Sequence, residues 1–279
     1  MTVAIAVVVG FLAARLVWMM LRPVFAADVF QRENFRGRAV PTAAGLVLAL
    51  AVVLVEGART VAAAAAGDAS RLSGGRVGVL VLATGLALFG FVDDLAGAGD
   101  RRGFRGHLGA LASGRLTTGA LKLGGGAAVA ILAVAASRPD DGLLELLTDA
   151  ALVALAANLG NLFDLAPGRA IKTAGLGFAI LAIATLADAR LAPAAVVVGA
   201  ALGLLFDDLR ERLMLGDTGA NLLGGALGLA VVVTGSPVTR LAVLGVLAIL
   251  NGASEWVSFT KVIDRVAPLR VLDRAGRKP

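Results

Sequence analysis

The chain has 279 residues, 58% of them hydrophobic, well above the roughly 45–50% usual in soluble domains, so a water-soluble globule is excluded. It contains no cysteine, which rules out both a disulfide framework and a thiolate nucleophile. The formal charge of +6 lies in short loops between apolar runs rather than in one stripe, which indicates membrane topology and no nucleic-acid partner.

A hydrocarbon core about 30 Å thick takes about 20 apolar residues of helix. Nine stretches approach that length: residues 2 to 22, 43 to 66, 76 to 92, 119 to 136, 147 to 163, 172 to 188, 194 to 206, 219 to 234 and 238 to 258. The first has neither a basic n-region nor a small-residue cleavage site and reads as a retained helix. The seventh is short. The expectation is an all-α polytopic transmembrane helical bundle of about nine spans, within a range of 8 to 10. Residues 1–279 form a single domain, because no repeat and no Gly/Ser-rich or Pro-rich linker divides them.

Cytoplasmic loops accumulate Lys and Arg, and alternate loops of this chain differ sharply. One set holds nineteen of the 26 basic residues: Arg22, Arg32, Arg36 and Arg38; then Arg101, Arg102, Arg105, Arg115 and Lys122; Arg169 and Lys172; Arg210 and Arg212; and the six of the tail from Lys261 to Lys278. The opposite set holds Arg59, Arg71, Arg76, Arg138, Arg190 and Arg240, and Arg15 lies inside the first stretch. This puts the N-terminus outside and the C-terminal tail in the cytoplasm.

The same basic loops carry the unusual polar residues. Pro41, Thr42 and Gly45 in RAVPTAAG are turn and small residues where the chain re-enters the membrane, which a helix start alone explains. The third stretch ends GFVDD, with Asp93 and Asp94 adjacent. Like charges so close raise one another's pKa or recruit a divalent cation, and the negative end of a helix dipole is the wrong place for them. Lys122 stands just inside the next helix, where it can neutralise phosphate. His107 reads as an ordinary interfacial residue. In NLGNLFDLAPG, Asn158, Asn161 and Asp164 fall within about 120° of one helix face, which is costly unless that face looks into a wet cavity or a bundle. Interhelical hydrogen bonding by asparagine is the plain alternative. Asp217 sits in a Gly-Asp-Thr-Gly turn whose glycines allow backbone to approach a phosphate or metal. Asp207 and Asp208 read as solvated beside Arg210 and Arg212, and the basic tail as lying on anionic lipid.

Taken in order, RAVPTAAG, GFVDD, a loop followed by Lys122, NLGNLFD, LGDTGAN and APLR resemble the motifs of the polyprenyl-phosphate N-acetylhexosamine-1-phosphate transferases. That superfamily includes the phospho-MurNAc-pentapeptide translocase and the GlcNAc-1-phosphate transferases, and the resemblance runs from about Phe35 to Arg277. It implies that Asp93 and Asp94 are the catalytic acidic pair, one of them orienting or deprotonating the lipid phosphate. Asp217 would bind Mg²⁺ with Asn161 as second ligand, Asp164 and Lys122 would line the diphosphate path, and Thr42, Asn158 and Asn161 would join the substrate site. Arg270 would take the phosphate-binding position of the last loop. The implied partners are a polyprenyl phosphate lipid and a nucleotide-diphospho-sugar, with a homodimer compatible. The implied setting is cell-envelope synthesis at the inner membrane of a bacterium.

Four departures mark a divergent member. Where the family reads D-G-x-D-G, this chain has Asp164, Leu165, Ala166, Pro167 and Gly168, so Pro167 replaces an acid linked to nucleobase recognition. Arg270, Val271 and Leu272 stand in place of a His cluster, Asp207 replaces an asparagine, and no tenth stretch follows. The alternative is a catalytically inactive relative that binds a lipid-linked precursor or acts as a scaffold. A transporter ranks last, because ion sites of transporters lie near the midplane and these acids gather at one mouth.

Overall fold

The computed structural model describes residues 1–67, 72–96 and 118–278. Arg71, Arg101, Arg102, Arg105, His107 and Arg115 lie outside the described residues. The rest is all-helical apart from one small hairpin. In chain order come α1 (Val3–Phe25), β1 (Gln31–Glu33), β2 (Ala39–Pro41), α2 (Gly45–Ala65), α3 (Gly74–Ala96), α4 (Thr118–Ser137), α5 (Leu143–Phe163), α6 (Arg169–Ala184), α7 (Ala192–Leu209), α8 (Gly216–Thr234), α9 (Pro237–Ser254), α10 (Phe259–Arg265) and α11 (Ala267–Arg274).

Each of the nine apolar stretches is helical, and seven of the helices are long and apolar enough to cross a membrane: α1, α2, α3, α5, α7 with the turn before it, α8 and α9. The apolar part of α4, Leu121–Ser137, is shorter, and α6 has 16 residues. The seventh stretch is longer than expected, because a 3-10 turn at Ala189–Leu191 leads into α7 and Asp207 and Asp208 continue the helix at its other end.

The centre of the bundle is α8, which together with α7 is 72% buried, against 11% for α9. Small residues put it there, since packing between apolar helices depends on how closely backbones approach. A Cβ on Gly224 would strike the Ala156 carbonyl of α5, and one on Gly160 would strike the Ala220 carbonyl. A Cβ on Gly45, at the start of α2, would strike the Gly219 backbone. The α1–α7 contact repeats the device, with Gly10 against Val196 and Gly199 against Val7.

The hairpin pairs antiparallel, with Gln31 opposite Pro41, so Pro41 ends a strand and α2 begins at Gly45. The segment before α8 completes this corner. The Met214 N–H donates to Pro41 O (2.7 Å), and the Ala44 and Gly45 N–H groups donate to the carbonyls of Met214 (3.1 Å) and Leu215 (2.9 Å). Amides that a helix start leaves without partners are thereby paired, and Thr42 is held close to Asp217.

Charges inside the bundle are paired. Arg15 of α1 donates to Asp207 (2.5 Å) and to Gly203 O (3.2 Å), and Arg22 and Arg212 reach the same carboxylate at 3.3 and 3.4 Å. Asp207 is therefore fully buried among three arginines, and the Gly168 N–H donates to buried Asp208 (2.9 Å); neither aspartate is the solvated residue expected. The tail does not simply rest on lipid. Arg169 grips Asp273 of α11 through two bonds of 2.8 and 3.1 Å, and Lys172 donates to the carbonyls of Leu272, Asp273 and Ala275.

Candidate functional site

The C-terminal end of α3 meets the first turn of α8, and this junction decides what the adjacent aspartates do. Asp94 accepts the Asp217 N–H (2.9 Å) with Oδ1, and the Thr218 N–H (3.0 Å) and hydroxyl (2.5 Å) with Oδ2. The carboxylate sits at the wrong end of its own helix but on the positive end of a neighbouring one, where free amides and the dipole both favour an anion. This contact offsets the electrostatic cost noted from the sequence, and it makes Asp94 a cap of α8. Close approach is required: Gly216 has φ +70°, and a Cβ there would lie 2.5 Å from Asp94 Oδ2. A Cβ on Gly90 would lie 2.6 Å from the Asp217 carbonyl. The glycines of the GDTG turn and its surroundings thus admit α3 and α2 to α8, and Gly216 also borders the acidic cavity described below.

Asp93, one residue earlier, points elsewhere. Lys122 Nζ, from the first turns of α4, donates to Asp217 Oδ2 and lies 3.7 Å from Asp93 Oδ2. With the Asn161 amide turned so that both its groups are satisfied, its nitrogen donates to Asp217 Oδ1 (2.6 Å) and its oxygen accepts from Lys122 Nζ (2.9 Å). Asp93 and Asp217 are also within hydrogen-bonding reach of each other. Four helices, α3, α4, α5 and α8, therefore bring two carboxylates and one carboxamide oxygen around a single cationic point. Hard oxygen donors of this kind suit Mg²⁺, and the ammonium group stands where a cation is required. Among the described residues no group of three or more His, Cys, Asp or Glu side chains could hold a metal ion, so a donor set at this point would have to include the Asn161 amide.

Beside this cluster opens a cavity of about 420 Å³ whose wall includes Glu33, Thr42, Asp164, Asp208, Glu211 and Asp217. Asp164 caps the end of α5. Its carboxyl is raised well above the usual range, first by burial and then by the negative charges of Asp208, Asp217 and Asp94, with a hydrogen bond from the Gly216 backbone opposing. A pocket with five acids on its wall attracts cations, and it accepts a diphosphate only together with a positive charge.

A second cavity, about 290 Å³ and almost wholly apolar, runs between α5, α6, α8 and α9, from Gly160 and Phe163 to Val231 and Leu247. Its length along α8, from Ala220 to Val231, is about 16 Å at 1.5 Å per residue. Its wall includes Gly160 and Phe163, the sequence neighbours of Asn161 and Asp164.

The expected site residues divide. Asp93, Lys122, Asn161 and Asp217 form the cluster, and Thr42 and Asp164 line the acidic cavity beside it. Asn158 is turned away: its amide donates to Asn251 of α9 (2.7 Å), the plain interhelical role. Arg270 also stands apart, with its guanidinium donating to Asp264 O (2.9 Å) and no place in the wall of the acidic cavity. Three contributors are not among the expected site residues, Asp208 reading as solvated in the sequence. Thr218 is fully buried against Asp94, Asp208 enters the cavity wall, and Glu211 is held by Asn34 (2.9 Å) and Arg36 (3.2 Å). The threonine following an aspartate at a helix start was the available signal for Thr218; nothing local marked the other two.

No protein-family model matches the chain, and no curated protein matches it in sequence.

Proposed function

We propose that the chain is a divergent Mg²⁺-dependent phosphoglycosyl transferase. It moves a sugar-1-phosphate from a nucleotide-diphospho-sugar, a UDP-linked amino sugar, to polyprenyl phosphate at the cytoplasmic face of a bacterial inner membrane. In this reading the nine apolar helices all cross the bilayer, with the N-terminus outside. One observation carries the proposal: Asp93, Asn161 and Asp217, from three different helices, converge with Lys122 on one point at a single end of the bundle.

The reaction needs little covalent chemistry from the protein. A phosphate oxygen of the lipid attacks the phosphorus that carries the sugar, the bond to the nucleotide's phosphate oxygen breaks, and nucleoside monophosphate leaves with that oxygen. Catalysis is then positioning and charge neutralisation. Asp217, Asn161 and Asp93 would hold Mg²⁺, which supplies neutralisation of the diphosphate oxygens. Lys122 adds a second positive charge at the same place. Asp164, raised towards the neutral form, donates a hydrogen bond to a phosphate oxygen instead of repelling it. Asp94 acts through α8, holding Asp217 in register. The apolar cavity along α8 offers the lipid acceptor a route from the bilayer that ends beside these groups.

The experiment is release of nucleoside monophosphate by the purified chain with Mg²⁺, undecaprenyl phosphate and a panel of UDP-sugars. Release from one donor, abolished by Asp217→Asn and by Asp93→Asn, is the expected result. A second reading, an inactive relative that binds lipid-linked precursor, is favoured by one feature: Lys122 itself neutralises Asp217. No release from any donor, with precursor binding intact in both variants, would establish that reading and end the first.

A further inference from the structure

We propose that the end of the bundle opposite the Asp217 cluster carries a second ligand site, a pocket that binds a phosphate group. Arg76 and Asp93 lie near opposite ends of α3, separated by about 26 Å at 1.5 Å per residue. Arg59, Arg76, Arg138 and Arg190 belong to the loops otherwise poor in basic residues, and they come from α2, α3, the turn after α4 and the turn before α7. All four line one cavity of about 410 Å³, within the range of roughly 300–1,000 Å³ typical of small-molecule sites.

The internal charge balance leaves this cavity positive. Arg59 (2.5 Å) and buried Arg76 share the one carboxylate of Glu56. Arg138 holds Asp141 through bonds of 2.6 and 2.8 Å, and Arg190 holds Asp188 (2.7 Å). Arg138 also lies 3.9 Å from Asp149, the partner of Arg240, so among the described residues five guanidiniums face four carboxylates, and two of the five meet at Glu56. Those contacts use part of the donor capacity, since each guanidinium carries five N–H groups. Arg59 makes its bond through Nη1 alone and Arg138 through Nε and Nη2, and their side chains remain 25% and 28% exposed.

Helix ends reinforce the charge. Gly75, in the first turn of α3, borders the cavity, and helix N-termini favour anions; the start of α7 adds only its dipole, since Pro193 has no N–H and the Ala192 N–H donates to Ala189 O. Two helix C-terminal ends oppose this: Val233 O of α8, covered by Arg190 Nη1 (2.6 Å), and the end of α4 at Ser137, which Arg138 follows directly. The neighbouring Arg240–Asp149 pair is buried and balanced, so it supports the wall without adding surplus charge. Planar guanidiniums in a fork match phosphate oxygens. At the end of membrane-crossing helices the phosphate at hand is that of a lipid headgroup, and free phosphate offers the same chemistry.

The site is tested with the full chain in dodecylmaltoside micelles, titrated with dioleoylphosphatidylglycerol, dioleoylphosphatidylcholine or inorganic phosphate. Phosphatidylglycerol should bind about tenfold tighter than phosphatidylcholine. Arg59→Gln and Arg138→Gln should each weaken it about tenfold, the loss of one charge-assisted hydrogen bond, while Arg274→Gln at the other end of the bundle leaves it unchanged. Competition by inorganic phosphate would assign recognition to the bare anion, and its failure would assign it to the headgroup with its chains; both support a phosphate site. The wild-type protein gives an independent reading, because phosphatidylglycerol should slow amide exchange over residues 74–78 and 192–196. Equal binding of the two lipids with unchanged exchange, or wild-type affinity in both folded arginine variants, would overturn the proposal.

Discussion

Replacing Asp94 by alanine tests whether the acidic pair is divided between structure and chemistry. The carboxylate accepts three hydrogen bonds from the first turn of α8, two from backbone N–H groups and one from the Thr218 hydroxyl. Hydrogen bonds to a charged group are worth about 1.5–3 kcal/mol each, and an anion on a helix N-terminus adds about 0.3–1 kcal/mol. Water entering from the adjacent cavity restores part of this, which leaves a loss on the order of 3–5 kcal/mol. Since about 1 kcal/mol moves the melting temperature of a large domain by roughly 2–4 °C, Asp94→Ala should melt on the order of 10 °C below wild type in a detergent thermal-shift assay. Asp93 instead belongs to the part-exposed cluster, 3.7 Å from Lys122 Nζ and within hydrogen-bonding reach of the Asp217 carboxyl. Asp93→Ala should therefore stay within about 1 kcal/mol of wild type, as part-exposed ion pairs do, while abolishing nucleotide release. Equal melting of the two variants, or a larger loss for Asp93→Ala, would refute the division.

Further outcomes follow from the same geometry. Because the Asp164 carboxyl is raised in the folded protein, it costs stability as pH rises from the ordinary carboxylate range through its folded pKa. Asp164→Asn should therefore raise the melting temperature at pH 7, by more at pH 8 than at pH 5, and a gain independent of pH would contradict the assignment. Asp273 behaves oppositely: burial acts to raise it, but the hydrogen bonds and charge of Arg169, with Arg277 and Lys172, bring it below the usual value. Its contribution is present above the ordinary carboxylate pKa and is lost as pH falls through the lower folded one. Arg169→Ala, which leaves buried Asp273 with Arg277 alone (2.5 Å), should cost about 1–3 kcal/mol and expose α10 and α11 to trypsin at neutral pH; an unchanged digestion pattern would show that the tail is held by other contacts. Gly90→Ala places a methyl 2.6 Å from the Asp217 carbonyl, an overpacking cost of about 1–3 kcal/mol, and should reduce thermal stability and activity together. Loss of neither would mean that α3 and α8 can separate freely.

How much of this could be read from the chain depended on whether the deciding partner was near in sequence. Acids at the ends of apolar helices are visible one helix at a time, so Asp93, Asp94, Asn161 and Asp217 could be selected before any coordinates. Their partners could not. Free amides at the start of α8 leave no letter in the sequence, yet they decide that Asp94 caps a helix while Asp93 faces Lys122. Asn158 and Asn161 differ by about 60° around α5 at 100° per residue, enough for α9 to engage one and Lys122 the other. Asp207 looked solvated because Arg210 and Arg212 stand beside it, whereas its shortest bond comes from Arg15, 192 residues away. The four arginines opposite were noticed only as exceptions to a charge rule, since their meeting depends on four separate elements. One stripe of small residues links both ends of the bundle. By letting α2, α3 and α5 close onto α8 it brings the acids of separate helices together at one face, and with the same helices it sets the position of Arg76 at the other. A change in that stripe that alters helix spacing should therefore disturb both polar sites, although they lie about 26 Å apart along α3.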